Sequence, residues 1–360
     1  MLKTPNPKKW RLFYPNKLHR ETFLKCVEFR NPAWIPCYIH IFDAVWAKYR
    51  GNLKKLVKEH PFIFGTVGKF LKINYDHISD WHTPGIKTDS WGAKWKVTKG
   101  GYEGQVVYHP LADWKKLESF VFPDPLKFTE KGKRLGFGSK FAINVIKKLG
   151  ILVPGNAERL FDRLYILRGF ENLMRDIVKQ DPHLAILIKR LTDHELTLIQ
   201  KWLSVGADLV SFHSDIGTQD RLMISPQQFR THIKPMFTTL FQTCRNGGSH
   251  VYFSSDGNLL EIVDDLIECG VSIHDPQYRA NTIDGIAKHY QGKLCIDLDL
   301  DRQGFPFFSP EETKEHIATA VEKLYIPEGG LMMKAEISDP NVPLENIRAI
   351  CEAYEEYCIF

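Results

Sequence analysis

The sequence predicts an α/β fold, a (β/α)8 TIM barrel with an N-terminal β-hairpin insertion. Three observations point there. From Gly206 onward, short apolar runs alternate with amphipathic helical stretches five times in succession. Each run passes straight into polar residues, which is the character of a buried parallel strand closed by a turn. No Gly-x-Gly-x-x-Gly follows any run, which removes the argument for a dinucleotide-binding sheet.

Taken in order, Arg20 to Phe29 reads as a helix and Asn31-Pro32-Ala33-Trp34 as a turn. Ile35 to Phe42 is a first buried strand, and Gly51 to Lys69 is helical with a break near Pro61. Asp89 to Tyr108 carries alternating aromatic and β-branched residues around Gly100-Gly101, which predicts a β-hairpin set over one end of the main fold. Leu126 to Leu149 is rich in Lys and Gly and has no clear period. Asn156 to Lys179 repeats Leu and Phe at helical spacing. His183 to Ile188 is too short an apolar run to assign, and Thr192-Asp-His-Glu195 is a capping-box pattern that opens a helix to Gly206.

The five regular units then follow. Their strands are Leu209–Phe212, His250–Phe253, Val271–Ile273, Leu294–Leu298 and Leu331–Ala335. Ser225-Pro226 and Ser309-Pro310 supply N-caps with Pro at the first helical position. The whole chain, 1–360, reads as a single domain.

Composition sets limits. Of 360 residues, 43% are hydrophobic and 25% charged, with a net charge of +5, which fits an ordinary soluble globular protein. No basic stripe with interleaved aromatics supports nucleic-acid binding. No apolar run is long enough to cross a bilayer and no signal-peptide segment opens the chain, so neither a membrane nor export is expected. Seven cysteines without a C-x-x-C pair read as reduced thiols in a cytoplasmic protein.

Chemistry in βα architectures collects where strands end. That places Asp215, after the strand at Leu209, and Asp256, after the strand at His250, as site candidates, with a turn-forming role as the bland alternative for each. Glu336 follows the last strand, where a solvated loop carboxylate is the alternative. His40 and His213 lie near strand ends and could act as base or ligand, although many histidines simply pack. Asp299 and Asp301 with Arg302 read as a structural ion pair. Trp81, Trp91, Trp95, Phe305, Phe307 and Phe308 could wall a flat ligand, but core packing explains most aromatics.

Several of these segments resemble those of the uroporphyrinogen decarboxylase superfamily. They are Leu167-Arg-Gly-Phe-Glu-Asn-Leu, Gly206-Ala-Asp through Asp215-Ile-Gly217-Thr-Gln, Ser254-Ser-Asp256-Gly257-Asn, Asp275-Pro-Gln277 and Asn341-Val-Pro343-Leu-Glu345-Asn346. The resemblance implies a (β/α)8 barrel and two kinds of activity, porphyrinogen decarboxylation or methyl transfer to and from corrinoid proteins or thiols. The decarboxylases carry an Arg-Gln-Ala-Gly-Arg-Tyr type motif near the N-terminus that grips substrate carboxylates. The matching stretch here is Ile35-Pro-Cys-Tyr-Ile-His40, without an arginine. The methyltransferase branch is therefore the nearer one.

That branch implies zinc held by His-x-Cys after one strand and Cys after the last. The corresponding positions are Ser254, Asp256 and Glu336, so two thiolates have become carboxylates and an imidazole a hydroxyl. Either Asp256 and Glu336, with a neighbour such as His213 or Asp215, are the implied metal ligands or there is no metal, and Ser254, Gly257 and Gln277 are the implied cofactor-binding residues. Asp215, His213 and His40 are the candidate catalytic residues. The expected function is methyl exchange between a small methylated substrate, for example a methoxylated aromatic undergoing O-demethylation, and a corrinoid carried on a partner protein. Decarboxylation of a porphyrinogen or other carboxylated substrate and non-catalytic tetrapyrrole or partner binding are the alternatives.

Overall fold

The computed structural model describes residues 16–65, 74–138 and 140–360. In chain order its strands are β1 (Cys37–Ile41), β2 (Gly85–Thr88), β3 (Lys94–Val97), β4 (Gln105–Tyr108), β5 (Phe128–Thr129), β6 (Gly132–Lys133), β7 (Pro154–Arg159), β8 (Leu209–His213), β9 (His250–Ser254), β10 (Ile273–His274), β11 (Cys295–Asp299) and β12 (Leu331–Ile337). Parallel strands joined through helices give the α/β, TIM-barrel-like class. The chain groups into two compact units, one of residues 1–77, 149–151 and 273–360 and the other of residues 78–148 and 152–272.

In the first unit the parallel strands lie in the order β1-β12-β11-β10. The register pairs Tyr38 with Lys334, His40 with Glu336, and Asp299 with Lys334. Strand β11 is buried along its full length although it reads Cys-Ile-Asp-Leu-Asp. Two aspartates in a buried strand need partners, and those partners define the chemistry described below. The helix Pro310–Leu324 opens on a full capping box between Ser309 and Glu312, as the sequence predicts. It packs on the last helix, Leu344–Tyr357. The predicted helix from Gly51 to Lys69 is instead Asp43–Glu59 followed by Pro61–Phe64, and its remainder lies outside the described residues.

In the second unit the parallel order is β7-β8-β9. Strand β7 corrects the helix expected from Asn156. Pro154 to Arg159 has no alternating apolar pattern to reveal it. It is held by pairing with β8 and by Gly155, where an added Cβ would lie 2.7 Å from the Trp202 ring. Helices follow at Phe161–Arg168 and Phe170–Lys179. The helix assigned from Thr192 begins ten residues earlier, as one element Pro182–Val205, with Asp181 as N-cap and left-handed Gly206 at its C-terminus. The segment predicted as a hairpin is a three-stranded antiparallel sheet, β2-β3-β4. Its Asp89 accepts from the Trp95 indole (3.0 Å), and Trp91 lies under the Arg163 guanidinium. Among the described residues no helix is long and apolar enough to cross a membrane.

Candidate active site

The ends of β7, β8 and β9 meet in the second unit. Asp162 lies three residues beyond Arg159, at the start of the helix that follows β7, and is 1% exposed. Its Oδ1 accepts the Asp215 backbone N–H (2.8 Å), and Oδ2 receives Arg159 Nη1 (3.3 Å). Tyr165 also hydrogen-bonds its carboxyl. Burial, and then the charge of Asp215, push Asp162 up to about 7, while Arg159 pulls the other way. Near neutral pH the Asp162 carboxyl is therefore partly protonated. Asp215 in turn accepts the Asp256 backbone N–H through Oδ1 (2.9 Å), so three strand ends are tied in sequence.

The turns after β8 and β9 are locked together. The Ser214 amide donates to Ser254 O (2.9 Å), and the Ile216 amide to Ser255 Oγ (3.2 Å). Gly257 sits at φ 90°, and a Cβ there would come within 2.4 Å of the Gly217 carbonyl carbon. Both glycines are required by backbone-on-backbone contact. His213 ends β8 in register with Ser254, and both His213 and the Asp256 side chain are exposed.

Behind β7 lies a buried ion cluster. Arg163 contacts Glu130 (2.6 Å), Glu158 and Asp89 (both 3.5 Å), and Arg134 contacts Glu158 (3.6 Å). Burial, then Glu195, push Glu158 up to about 7. This cluster joins the antiparallel sheet to the helix after β7. Trp91 and Trp95 pack here, which is a structural role.

The first unit has its own charged strand ends. Lys334 Nζ lies 2.6 Å from Asp275 Oδ2 and 4.0 Å from Asp299 Oδ2. Tyr38 donates to Asp297 Oδ2 (3.0 Å). Glu336 Oε1 accepts from Arg302 Nη1 at 2.7 Å, whereas Arg302 Nε is 3.9 Å from Asp299. The ion pair expected of Arg302 with Asp299 is present as a long contact, the shorter partner of Arg302 is Glu336, and Asp301 pairs with Arg279 (2.7 Å) instead. Gln277 bridges to Asp299 in parallel fashion, and exposed His40 stacks on Phe42 at 4.7 Å. Phe305 is buried and packs with Phe308 and His316, while Phe307 is exposed.

The family model for uroporphyrinogen decarboxylase (URO-D) matches residues 91–357. The chain belongs to the uroporphyrinogen decarboxylase family. A methyltransferase from Methanosarcina mazei shares 15% identity over 94% of this chain and 98% of its own, with a TM-score of 0.63. At that identity the likeness is one of fold. D-psicose 3-epimerase from Clostridium cellulolyticum H10 (11% identity, 62% of this chain and 85% of its own, TM-score 0.38) and a dihydropteroate synthase from Xanthomonas albilineans (12%, 51% and 60%, 0.32) are more distant. No curated protein matches the sequence.

This family member lacks the donor chemistry of a zinc site at the implied positions. Glu336 already has a cation in Arg302, and a neutral serine hydroxyl is a poor zinc ligand. Among the described residues no group of three or more His, Cys, Asp or Glu is arranged to hold a metal. Asp162, Arg159 and Lys334 were not singled out in the sequence. The signal that could have found Asp162 is an acidic residue just past a strand end, but that strand itself was hidden.

Proposed function

We propose that the chain is an enzyme of the methyltransferase type. It exchanges a methyl group between a small methylated substrate, with a methoxylated aromatic as the leading class, and a corrinoid carried on a partner protein. Family membership, the arginine-free stretch Ile35–His40 and the end-to-end likeness in fold to a methyltransferase support this reading. The observation that carries it is the buried Asp162 carboxyl set against Asp215, which burial and the Asp215 charge push up to about 7. Cleaving a methyl–oxygen bond leaves an alkoxide or phenoxide, and a positioned acid with a pKa near the working pH is suited to protonate it. The corrinoid supplies the cobalt that takes or gives the methyl group. Asp162 then holds the proton, Asp215 keeps its affinity high, and Arg159 and Tyr165 orient the carboxyl. Proton donation does here what a Lewis acid would otherwise do.

The test is methyl transfer from methoxybenzene derivatives to a reduced corrinoid, with Asp162→Asn as the variant. A fall in kcat of about 10²–10⁴-fold is expected for loss of a general acid. Full turnover by the variant overturns the assignment. Turnover of uroporphyrinogen by the native chain would put decarboxylation in its place.

A further inference from the structure

Asp299, at the end of β11, has a polar atom that the fold does not use. Its side chain is 2% exposed, and its Oδ1 has no hydrogen-bond partner. Buried polar atoms are normally satisfied, and an exception at the end of a barrel strand calls for a functional explanation. The surroundings show which kind of ligand would satisfy it. Both nearby cations are already committed, Lys334 to Asp275 at 2.6 Å and Arg302 to Glu336 at 2.7 Å. Each stands about 4 Å from Asp299 Oδ2. In the ionised carboxylate the capacity left over is therefore that of an acceptor.

We propose that the ends of β10, β11 and β12 form a binding site for an organic ammonium group, whose N–H is received by Asp299 Oδ1. Lys334 and Arg302 hold the Asp299 carboxyl in place from the Oδ2 side, and Gln277, bridged to Asp299 through the backbone, fixes the neighbouring turn. A neutral ligand of the same shape gains no ion pair, so the site discriminates by charge. An anionic ligand gains no such pair and is repelled by the ionised Asp299 carboxylate.

The site is coupled to pH. Burial pushes Asp299 up to about 7, opposed by Lys334 and Arg302 and reinforced by Asp275 and Glu336. His274 on β10 and Cys295 on β11 are buried titratable groups beside it, Asp297 lies two residues earlier on β11, and Tyr38 and His40 lie on β1, beyond β12. An ammonium ion prefers the ionised carboxylate, so binding releases a proton below pH 7. Affinity should rise about tenfold between pH 6 and pH 8, as the ionised fraction rises from about a tenth to about nine-tenths.

Calorimetry of the full chain with trimethylammonium chloride, and with tert-butanol as the neutral isostere, tests this. The expected result is trimethylammonium binding at pH 8 that weakens about tenfold at pH 6, with no detectable binding of tert-butanol. Asp299→Asn should weaken binding at least tenfold and abolish its pH dependence. No trimethylammonium binding at pH 8, or equal affinity for the alcohol, overturns the proposal. The native pH series and its proton release stand without the variant should that variant fail to fold. Because no corrinoid or methyl transfer enters the assay, its outcome is separate from that of the proposed activity.

Discussion

Asp162→Asn should make the protein more stable at pH 8 while it loses activity. The carboxyl is 1% exposed, and its pKa rises from the ordinary 3.8 to about 7. A rise of that size means the ionised form is disfavoured in the fold by roughly 4 kcal/mol relative to the unfolded chain. The folded state thus binds the proton more tightly. This contribution to stability is complete below pH 4 and is lost as pH rises through 7. Asparagine cannot ionise, and its Oδ1 can still accept the Asp215 amide. It forfeits the contact with Arg159, which lies at 3.3 Å. Subtracting that contact leaves a net gain of about 1–3 kcal/mol at pH 8. At pH 5, where the native aspartate is already protonated, the two proteins should differ by less than about 1 kcal/mol. Urea titrations of both proteins at the two pH values give the difference directly. An equal loss of stability at pH 5 and pH 8 would refute the reasoning, because it would mean that the ionised Asp162–Arg159 pair is net stabilising. Stability gained together with activity lost is the signature of a strained functional group.

Other substitutions probe the supports of the site. Arg163→Met takes one of two cations from each of Glu130 and Glu158, leaving Arg159 at 3.2 Å and Arg134 at 3.6 Å, and a loss of roughly 1–3 kcal/mol is expected in urea at pH 8. The loss should shrink at pH 5, because Glu158, pushed up to about 7, is then neutral. Gly257→Ala forces a Cβ to 2.4 Å from the Gly217 backbone at a φ of 90°. A loss of roughly 1–3 kcal/mol is expected, seen as a lower Tm, together with reduced kcat as the turns carrying Asp215 and Asp256 separate. Treatment with EDTA should leave Tm and activity unchanged, and a drop in either would restore a metal to the site.

Much of the architecture was legible from the sequence because apolar runs closed by polar turns are a local signal. Strands β8, β9, β11 and β12 fall within a residue or two of their predicted bounds. Strand β7 was not legible. Its Pro-Gly-Asn-Ala-Glu-Arg carries neither period, and it exists because β8 pairs with it and Trp202 packs on Gly155. Asp162 disappeared with it, since a strand-end carboxylate cannot be recognised until the strand is. Asp299 was visible, but only as one member of a charge pair. Which carboxylate Arg302 chooses depends on the register of β11 on β12, and the register places Glu336 within 2.7 Å. The order Asp215 to Asp256 was legible, whereas the amide contact that joins them required the coordinates.

The charges at the strand ends also give a direct way to tell the proposed chemistry from a metal-based one. A metal-bound thiolate works because a divalent ion keeps it deprotonated. A carboxylate such as Glu336 also needs a cation, and Arg302 provides one that cannot be lost by deprotonation or chelation. Lys334 does the same for Asp275, with its ion pairs outweighing burial and raising its pKa further. These positive charges are therefore fixed once the chain is folded. What can vary near neutral pH is the proton on Asp162, on Asp299 and on Glu158 of the buried ion cluster, each pushed up to about 7. If Asp162 donates its proton to a leaving oxygen, kcat must fall as pH rises past 7, by about tenfold per unit in the limit. A metal-bound thiolate or hydroxide demands the reverse, a rate that grows as its ligand sheds a proton. The alkaline limb of the pH–rate profile, measured at saturating substrate, decides between them, and a rate that climbs from pH 6 to pH 8 would remove Asp162 from its role.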